Sequence, residues 1–178
     1  MDYAELSAAY VLGALSPIER AEIGQRRLYD LALNDAILAE EARLSEMGGL
    51  PAAMADDNKL WGRIAGALAA EQSALSNVSL NVFSDGNWEQ HTDLIDSKIL
   101  WSDKAMLLRC GPGAVEPEHP QEQGEDEHMI VIAGDVMMGG RTFNVGDYLK
   151  IEGGTMHAEM RSRGGCILLS QYLPTSQN

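Results

Sequence analysis

Two hydrophobic rhythms divide the chain. From about residue 3 to 75, apolar positions recur at three- and four-residue spacing, the period of helices with one buried face. Beyond about residue 105 they alternate, or run continuously over short stretches between glycines, as strands do. Leu6, Tyr10, Gly13 and Ala14 fall at helical spacing, with Gly13 small enough to permit close packing. Ser16-Pro17-Ile18-Glu19 reads as a capping box, with Ser16 as N-cap, Pro17 at N1 and Glu19 at N3. The second helix is expected to run through Ile23 and Leu28 towards Leu33. The third is expected to be capped by Asn34, with Leu33 and Leu38 as a hydrophobic staple and Leu44 continuing the apolar face. Gly48-Gly49-Leu50-Pro51 ends that helix, and the stretch through Asp57 reads as a linker. Asp56 or Asp57 then caps a fourth helix bearing Leu60, Trp61, Ile64 and Leu68. That stripe either packs on the first three helices as core or clasps a partner together with them.

In the second half, Met129-Ile130-Val131-Ile132 is apolar on both faces, as in a strand inside a sandwich or barrel. Glu127 shares a face with Met129 and Val131, and His128 takes the other. Gly139-Gly140 supplies a tight hairpin, Gly146-Asp147 a further turn, and Gly153-Gly154 breaks the next strand and presents His157. His119 and Gln121, two apart, project to one side of an extended segment, and Gly124 lets the chain turn after them. Coordinating side chains therefore concentrate at His119, Gln121, Glu127 and His157. His91 and His128 read as ordinary surface or strand residues.

Composition narrows the function classes. The 178 residues carry 13 Lys and Arg against 27 Asp and Glu, a net charge of −14 with a pI near 4.5. Such a chain is not expected to bind nucleic acid directly, whereas a basic protein partner suits it. Residues 1–75 hold 6 basic and 12 acidic residues, so the helical half is itself acidic. No run of about 18 apolar residues exists to span a membrane. Met1-Asp2-Tyr3-Ala4-Glu5 lacks the basic start of a signal peptide, so the expected compartment is the cytoplasm. Every His lies at position 91 or later, and Cys110 and Cys166 are the only cysteines, so residues 1–90 contain no zinc-type His/Cys cluster. Both cysteines sit in apolar strand-like runs and are expected to be reduced and buried; a redox role for either would need an accessible thiolate.

Two resemblances follow from these motifs. Gly111 to Gly134, with His119 and with Glu127 seven residues before Gly134, resembles the first cupin motif; Gln121 stands where a second His is usual, and the loop from Gln121 to Glu127 is about two residues longer than is common. Gly146 to His157 resembles the second cupin motif, with Glu152 in place of its proline. The resemblance implies a jelly-roll β-barrel holding one divalent metal on His119, Glu127 and His157, with Gln121 as a weaker fourth ligand. Zinc is the leading expectation, with iron, manganese and nickel as alternatives. A metal-free barrel that keeps the turns for folding is the opposing reading.

Ala8-Ala9-Tyr10-Val11-Leu12-Gly13-Ala14-Leu15-Ser16 with Glu19-Arg20, and Leu60-Trp61-Gly62-Arg63-Ile64 after a Pro-containing linker, resemble bacterial anti-sigma domains. In that family three helices and a tethered fourth wrap an extracytoplasmic-function (ECF-type) sigma factor. The combination resembles ChrR-type anti-sigma factors, in a form lacking the zinc-binding His/Cys pattern of many helical domains. The expected fold is therefore α+β: a helical domain over residues 1–75 and a cupin domain over 76–178. The resemblance implies that Tyr10, Leu60, Trp61, Ile64 and Leu68 meet the sigma factor, and that a signal in the barrel, such as oxidative stress, releases it. The alternative is a metal-dependent cupin enzyme, dioxygenase- or isomerase-like, with Glu122 and Glu125 as available bases. A homodimer through edge strands is compatible with the pattern, although no segment demands it.

Overall fold

Side-chain caps set the limits of the helices. In the computed structural model, which describes residues 2–47, 81, 83 and 87–175, helix α1 spans Tyr3–Val11, α2 Pro17–Arg26 and α3 Leu31–Met47. The Asp2 carboxylate accepts from Glu5 N–H to open α1. Ser16 and Glu19 form the expected reciprocal capping box at α2. Two local expectations are corrected. The cap of α3 is Asp30, not Asn34: the Asp30 carboxylate accepts from Leu33 N–H at 3.1 Å, and Asn34 lies inside the helix, where its side-chain oxygen accepts from Arg27. This ends α2 at Arg26, and the staple from Leu33 does not form, since Leu33 is fully buried while Leu38 is 48% exposed. Gly13 is a stop rather than a packing glycine. It has φ +71°, and nothing lies within 4 Å of where its side chain would begin.

The helices bury Ile23, Leu33 and Ile37 against Tyr3, Leu6, Tyr10, Val11 and Leu15. Asp30, only 1% exposed, ties this unit together: it accepts from the Tyr3 hydroxyl at 2.7 Å and pairs with Arg26 at 2.8 Å while capping α3. That hydrogen bond raises the pKa of Tyr3, so its hydroxyl remains a donor. The expected fourth helix, with Leu60, Trp61, Ile64 and Leu68, lies outside the described residues, as does the boundary near residue 75.

The second half is an antiparallel, nearly closed barrel. Its strands are β1 (Glu89–Thr92), β2 (Ile95–Ser102), β3 (Ala105–Cys110), β4 (Val115–Glu116), β5 (His119–Pro120), β6 (Glu125–Met138), β7 (Arg141–Asn144), β8 (Tyr148–Ile151), β9 (Met156–His157), β10 (Met160–Arg161) and β11 (Cys166–Pro174). One face runs β1-β2-β3-β11-β6-β8 and the other β7-β6-β10-β4, with β5 and β9 paired at one end. The long strand β6 belongs to both faces and crosses between them at Gly134. There φ is +71°, and a methyl group would come within 2.1 Å of the Gly165 carbonyl oxygen. Alternation places Met129 and Val131 of β6, Leu108 and Cys110 of β3, and Cys166 and Leu168 of β11 in one core. No helix among the described residues is long and apolar enough to cross a membrane.

Candidate functional site

Buried polar groups gather at the end of the barrel where β6 begins. Alternation along β6 turns Glu127 inward with Met129 and Val131, leaving it 4% exposed. Both carboxylate oxygens are engaged: Ser170 Oγ donates to Oε1 at 2.7 Å, and Gln121 Nε2 donates to Oε2 at 2.6 Å. Gln121 is 7% exposed and Ser170 fully buried, so this is a water-poor network in which each hydrogen bond to the charge matters. Among the described residues, no buried side-chain nitrogen or oxygen lacks a partner.

The two histidines come from the β5–β9 pair, where His119 faces His157 directly in the register. Their rings stack with centroids 4.8 Å apart and planes inclined by 12°. His157 is 2% exposed. Its Nδ1 lies 2.7 Å from the Ala158 carbonyl oxygen, and His119 Nδ1 lies 3.0 Å from that of Pro117. A carbonyl only accepts, so each neutral ring carries its proton on Nδ1 and bears its lone pair on Nε2. His157 Nε2 lies 3.8 Å from Glu127 Oε2. The structure thus brings His119, Gln121, Glu127 and His157 to one place, while His128, beside the Tyr148 hydroxyl, and His91, beside Glu116, lie outside the network.

Tyr172 adds a phenol. It stands opposite Glu127 across the β6–β11 ladder, and its pKa is pushed well up, first by burial and then by the Glu127 charge. It therefore stays protonated and able to donate. A cavity of about 280 Å³, lined by Lys104, His119, Gln121, Glu125 and Tyr172 among others, opens beside this cluster. At its rim Lys104 pairs with Glu125 at 2.6 Å. No sequence motif marks Ser170 or Tyr172. The available signal was the inward phase of Cys166, Leu168, Ser170 and Tyr172, which puts a hydroxyl at a core position.

The donor types fit a divalent ion: two imidazoles anchored through Nδ1, one buried carboxylate and one amide. Among the described residues, however, no three His, Cys, Asp or Glu side chains converge closely enough to enclose one. The Gln121–Glu127 hydrogen bond commits one carboxylate lone pair to the amide.

Of the expected partner-binding residues, Tyr10 is described. It is half-buried against the helical core, with the Arg20 guanidinium 4.4 Å from its ring centroid. A second cavity of about 280 Å³ lies between helices and barrel, among Tyr3, Tyr29, Leu31, Leu94 and Arg109; its charged lining groups are already paired, Asp30 with Arg26 and Arg109 with Asp96.

No family model matches the sequence, and no curated protein matches it. Solved structures do. KdgF from Halomonas sp. is 21% identical, with 56% of this chain and 96% of that chain covered and a TM-score of 0.47. A chain of Rhodobacter sphaeroides SigE in complex with the anti-sigma ChrR is 22% identical, with 96% of each chain covered and a TM-score of 0.43. An acetylacetone dioxygenase from Acinetobacter johnsonii is 14% identical, with 54% of this chain and 73% of that one covered and a TM-score of 0.46. Each is a likeness of fold, and these neighbours include both an anti-sigma complex and an enzyme.

Proposed function

We propose that the chain is an anti-sigma factor in two parts, a helical half that holds an ECF-type sigma factor and a barrel that senses the signal ending the hold. The observation that supports it best is the surface of the helical half. Leu12, Ile18, Leu28, Leu31 and Leu38 are between 42% and 74% exposed, although Leu33 and Ile37 on the same helix α3 are fully buried. Leu31 and Leu38, seven residues apart, share one outward face of α3. Exposed apolar side chains on an acidic helical unit suit a partner that is apolar at the contact and basic around it, as a DNA-binding sigma factor is. Tyr10 and the stripe of Leu60, Trp61, Ile64 and Leu68 extend the same proposal from the sequence motifs.

In the barrel, His119, Glu127 and His157, with the Gln121 amide oxygen, would hold one divalent ion, zinc first among the candidates. When bound, the ion would supply a fixed positive charge in a water-poor site. Ser170 orients the Glu127 carboxylate, the two carbonyl-anchored imidazoles keep Nε2 available, and Gln121 caps the carboxylate or leaves it. A signal that shifts this network by a coupling energy of about 1–3 kcal/mol would alter sigma-factor affinity by about 5- to 150-fold.

The test is co-purification with the sigma factor encoded beside this gene, with bound metal quantified in the same sample. A one-to-one complex is expected, weakened about ten- to a hundredfold by Leu38→Glu through loss of a buried Leu contact. Absence of any complex, with wild-type protein folded, defeats the proposal. A second reading, a metal-dependent cupin enzyme, is favoured by the cavity beside the buried carboxylate and by the protonated Tyr172 on its wall. It requires turnover that disappears in Glu127→Ala.

A further inference from the structure

At the start of β11, before Ser170 at its middle, the barrel core holds a second pair of reactive side chains. Cys110 ends β3 and Cys166 begins β11, and they are direct partners across the antiparallel ladder. They are 1% and 0% exposed, and both thiols are free. Opposed residues on antiparallel strands have Cα atoms about 4.5–5.5 Å apart, inside the range of about 4.4–6.8 Å that a disulfide spans. The Cα separation of such a pair is therefore compatible with a disulfide. Interaction between the two side chains favours the thiolate at Cys166 and disfavours it at Cys110.

The place of this pair is as informative as its geometry. Gly165, the neighbour of Cys166, has φ +91° and lies directly beneath Tyr29, where a methyl group would sit 2.5 Å from Tyr29 Cδ2 and 2.9 Å from the Cys110 carbonyl oxygen. Tyr29 belongs to the turn between α2 and α3 and precedes Asp30, the buried cap of α3. Gly165, one residue before Cys166 and beside the Cys110 carbonyl, is thus a point where the helical half rests on the barrel. A cavity of about 370 Å³ reaches Ser162, Arg163 and Ala114, and Ala114 shares the core cluster with both cysteines.

We propose that Cys110 and Cys166 form a redox-modification site, a dithiol that a hydroperoxide converts to a cross-strand disulfide, shifting the seat of Tyr29 on Gly165. Cys166, as thiolate, attacks a peroxide oxygen; the O–O bond breaks, and the leaving alkoxide or hydroxide takes the proton that Cys166 gave up. Cys166 is then a sulfenic acid. The Cys110 sulfur attacks it, the S–S bond forms as the S–O bond breaks, and the departing hydroxide leaves as water with the Cys110 proton. The two sulfurs together lose two electrons and the peroxide gains two. The site needs neither a metal nor a partner.

The test uses the full reduced chain, treated with hydrogen peroxide in the presence of a chelator and then mapped by mass spectrometry. The expected product is lighter by two hydrogens, contains a peptide linked through Cys110 and Cys166, and reverts with reductant. Hydrogen exchange across Tyr29 to Leu33 is expected to change in the oxidised chain and to stay unchanged when Cys166→Ser is treated alike. Thiols that remain free under peroxide sufficient to oxidise exposed Met156, or a lone cysteine carried to sulfinic acid without a link, overturn the proposal. A disulfide that leaves exchange at Tyr29 to Leu33 unaltered overturns its coupling to the helices. The wild-type result decides the first point even where the variant does not fold.

Discussion

Replacing Ser170 by Ala isolates the hydrogen bond that holds the Glu127 carboxylate from within the core. The change deletes one oxygen at a position with no exposed surface, so it leaves almost no cavity. What it removes is one of two side-chain donors to a carboxylate that is itself 4% exposed. Hydrogen bonds to charged groups contribute about 1.5–3 kcal/mol, and a buried acceptor left without its donor carries the desolvation cost in full. Tyr172 is the nearest substitute donor, placed opposite Glu127 on the neighbouring strand. Its partial replacement of the hydroxyl sets the expected loss near 2 kcal/mol. Urea unfolding with a chelator present measures it: with a slope of about 1–3 kcal/mol per molar, the midpoint falls by about 1 M and the slope holds. A double-mutant cycle with Glu127→Gln then assigns the effect, with an expected coupling of at least 1 kcal/mol by the usual scale for direct contacts, about 0.5–3 kcal/mol. A loss under about 0.5 kcal/mol, or additivity within about 0.3–0.5 kcal/mol, refutes the reasoning. The same variant is expected to bind metal about 10- to 100-fold more weakly, because it no longer orients a ligand.

Other consequences are open to direct measurement. Gly134→Ala puts a methyl group on the Gly165 carbonyl at a positive φ and is expected to cost 3 kcal/mol or more, on the order of the large core effects, or to prevent folding. Gly164→Ala, with open space around it, should stay within about 0.5 kcal/mol in the same denaturation series. Asp126 is held at a pKa of about 2 by the Gly153 N–H, Lys150 and Thr175, below its ordinary value of 3.8. A depressed carboxylate stabilises the fold fully above its unfolded pKa and loses that contribution as pH falls through its folded one. Stability should therefore decline between about pH 4 and pH 2, and Asp126→Asn should flatten that part of the profile. Asp30→Ala removes the cap of α3 and the acceptor of Tyr3 together; a loss of about 2–3 kcal/mol in helical stability, read by circular dichroism, is expected from the two combined. Dialysed and zinc-reconstituted Glu127→Ala should retain far less metal than wild type if the proposed site binds it.

Expectations drawn from neighbouring residues survived best where the neighbours alone supply the energy. The Ser16–Glu19 box spans four residues, and both of its hydrogen bonds form within them. Asn34 and Asp30 were both competent caps by type, and the choice between them came from elsewhere. Asp30 is fixed by Arg26 and by Tyr3, 27 residues away, while Asn34 is taken by Arg27. Gly13 shows the same limit, since smallness and permissiveness at φ look alike in sequence.

The sequence by itself determined which residues face inward. The alternation of Glu127, Met129 and Val131, the glycine pair at 139–140 and the helical spacing before residue 47 are written in a two- or 3.6-residue period, which the backbone imposes on any chain. Only the tertiary structure decided what those faces meet. Ser170 reaches Glu127 across 43 residues, Cys166 meets Cys110 across 56, and Gly165 receives Tyr29 from the other half of the chain. A period specifies a direction but carries no address. The partner at that address is selected by closing the barrel and seating the helices, where burial makes each unmet hydrogen bond and each misplaced methyl group costly.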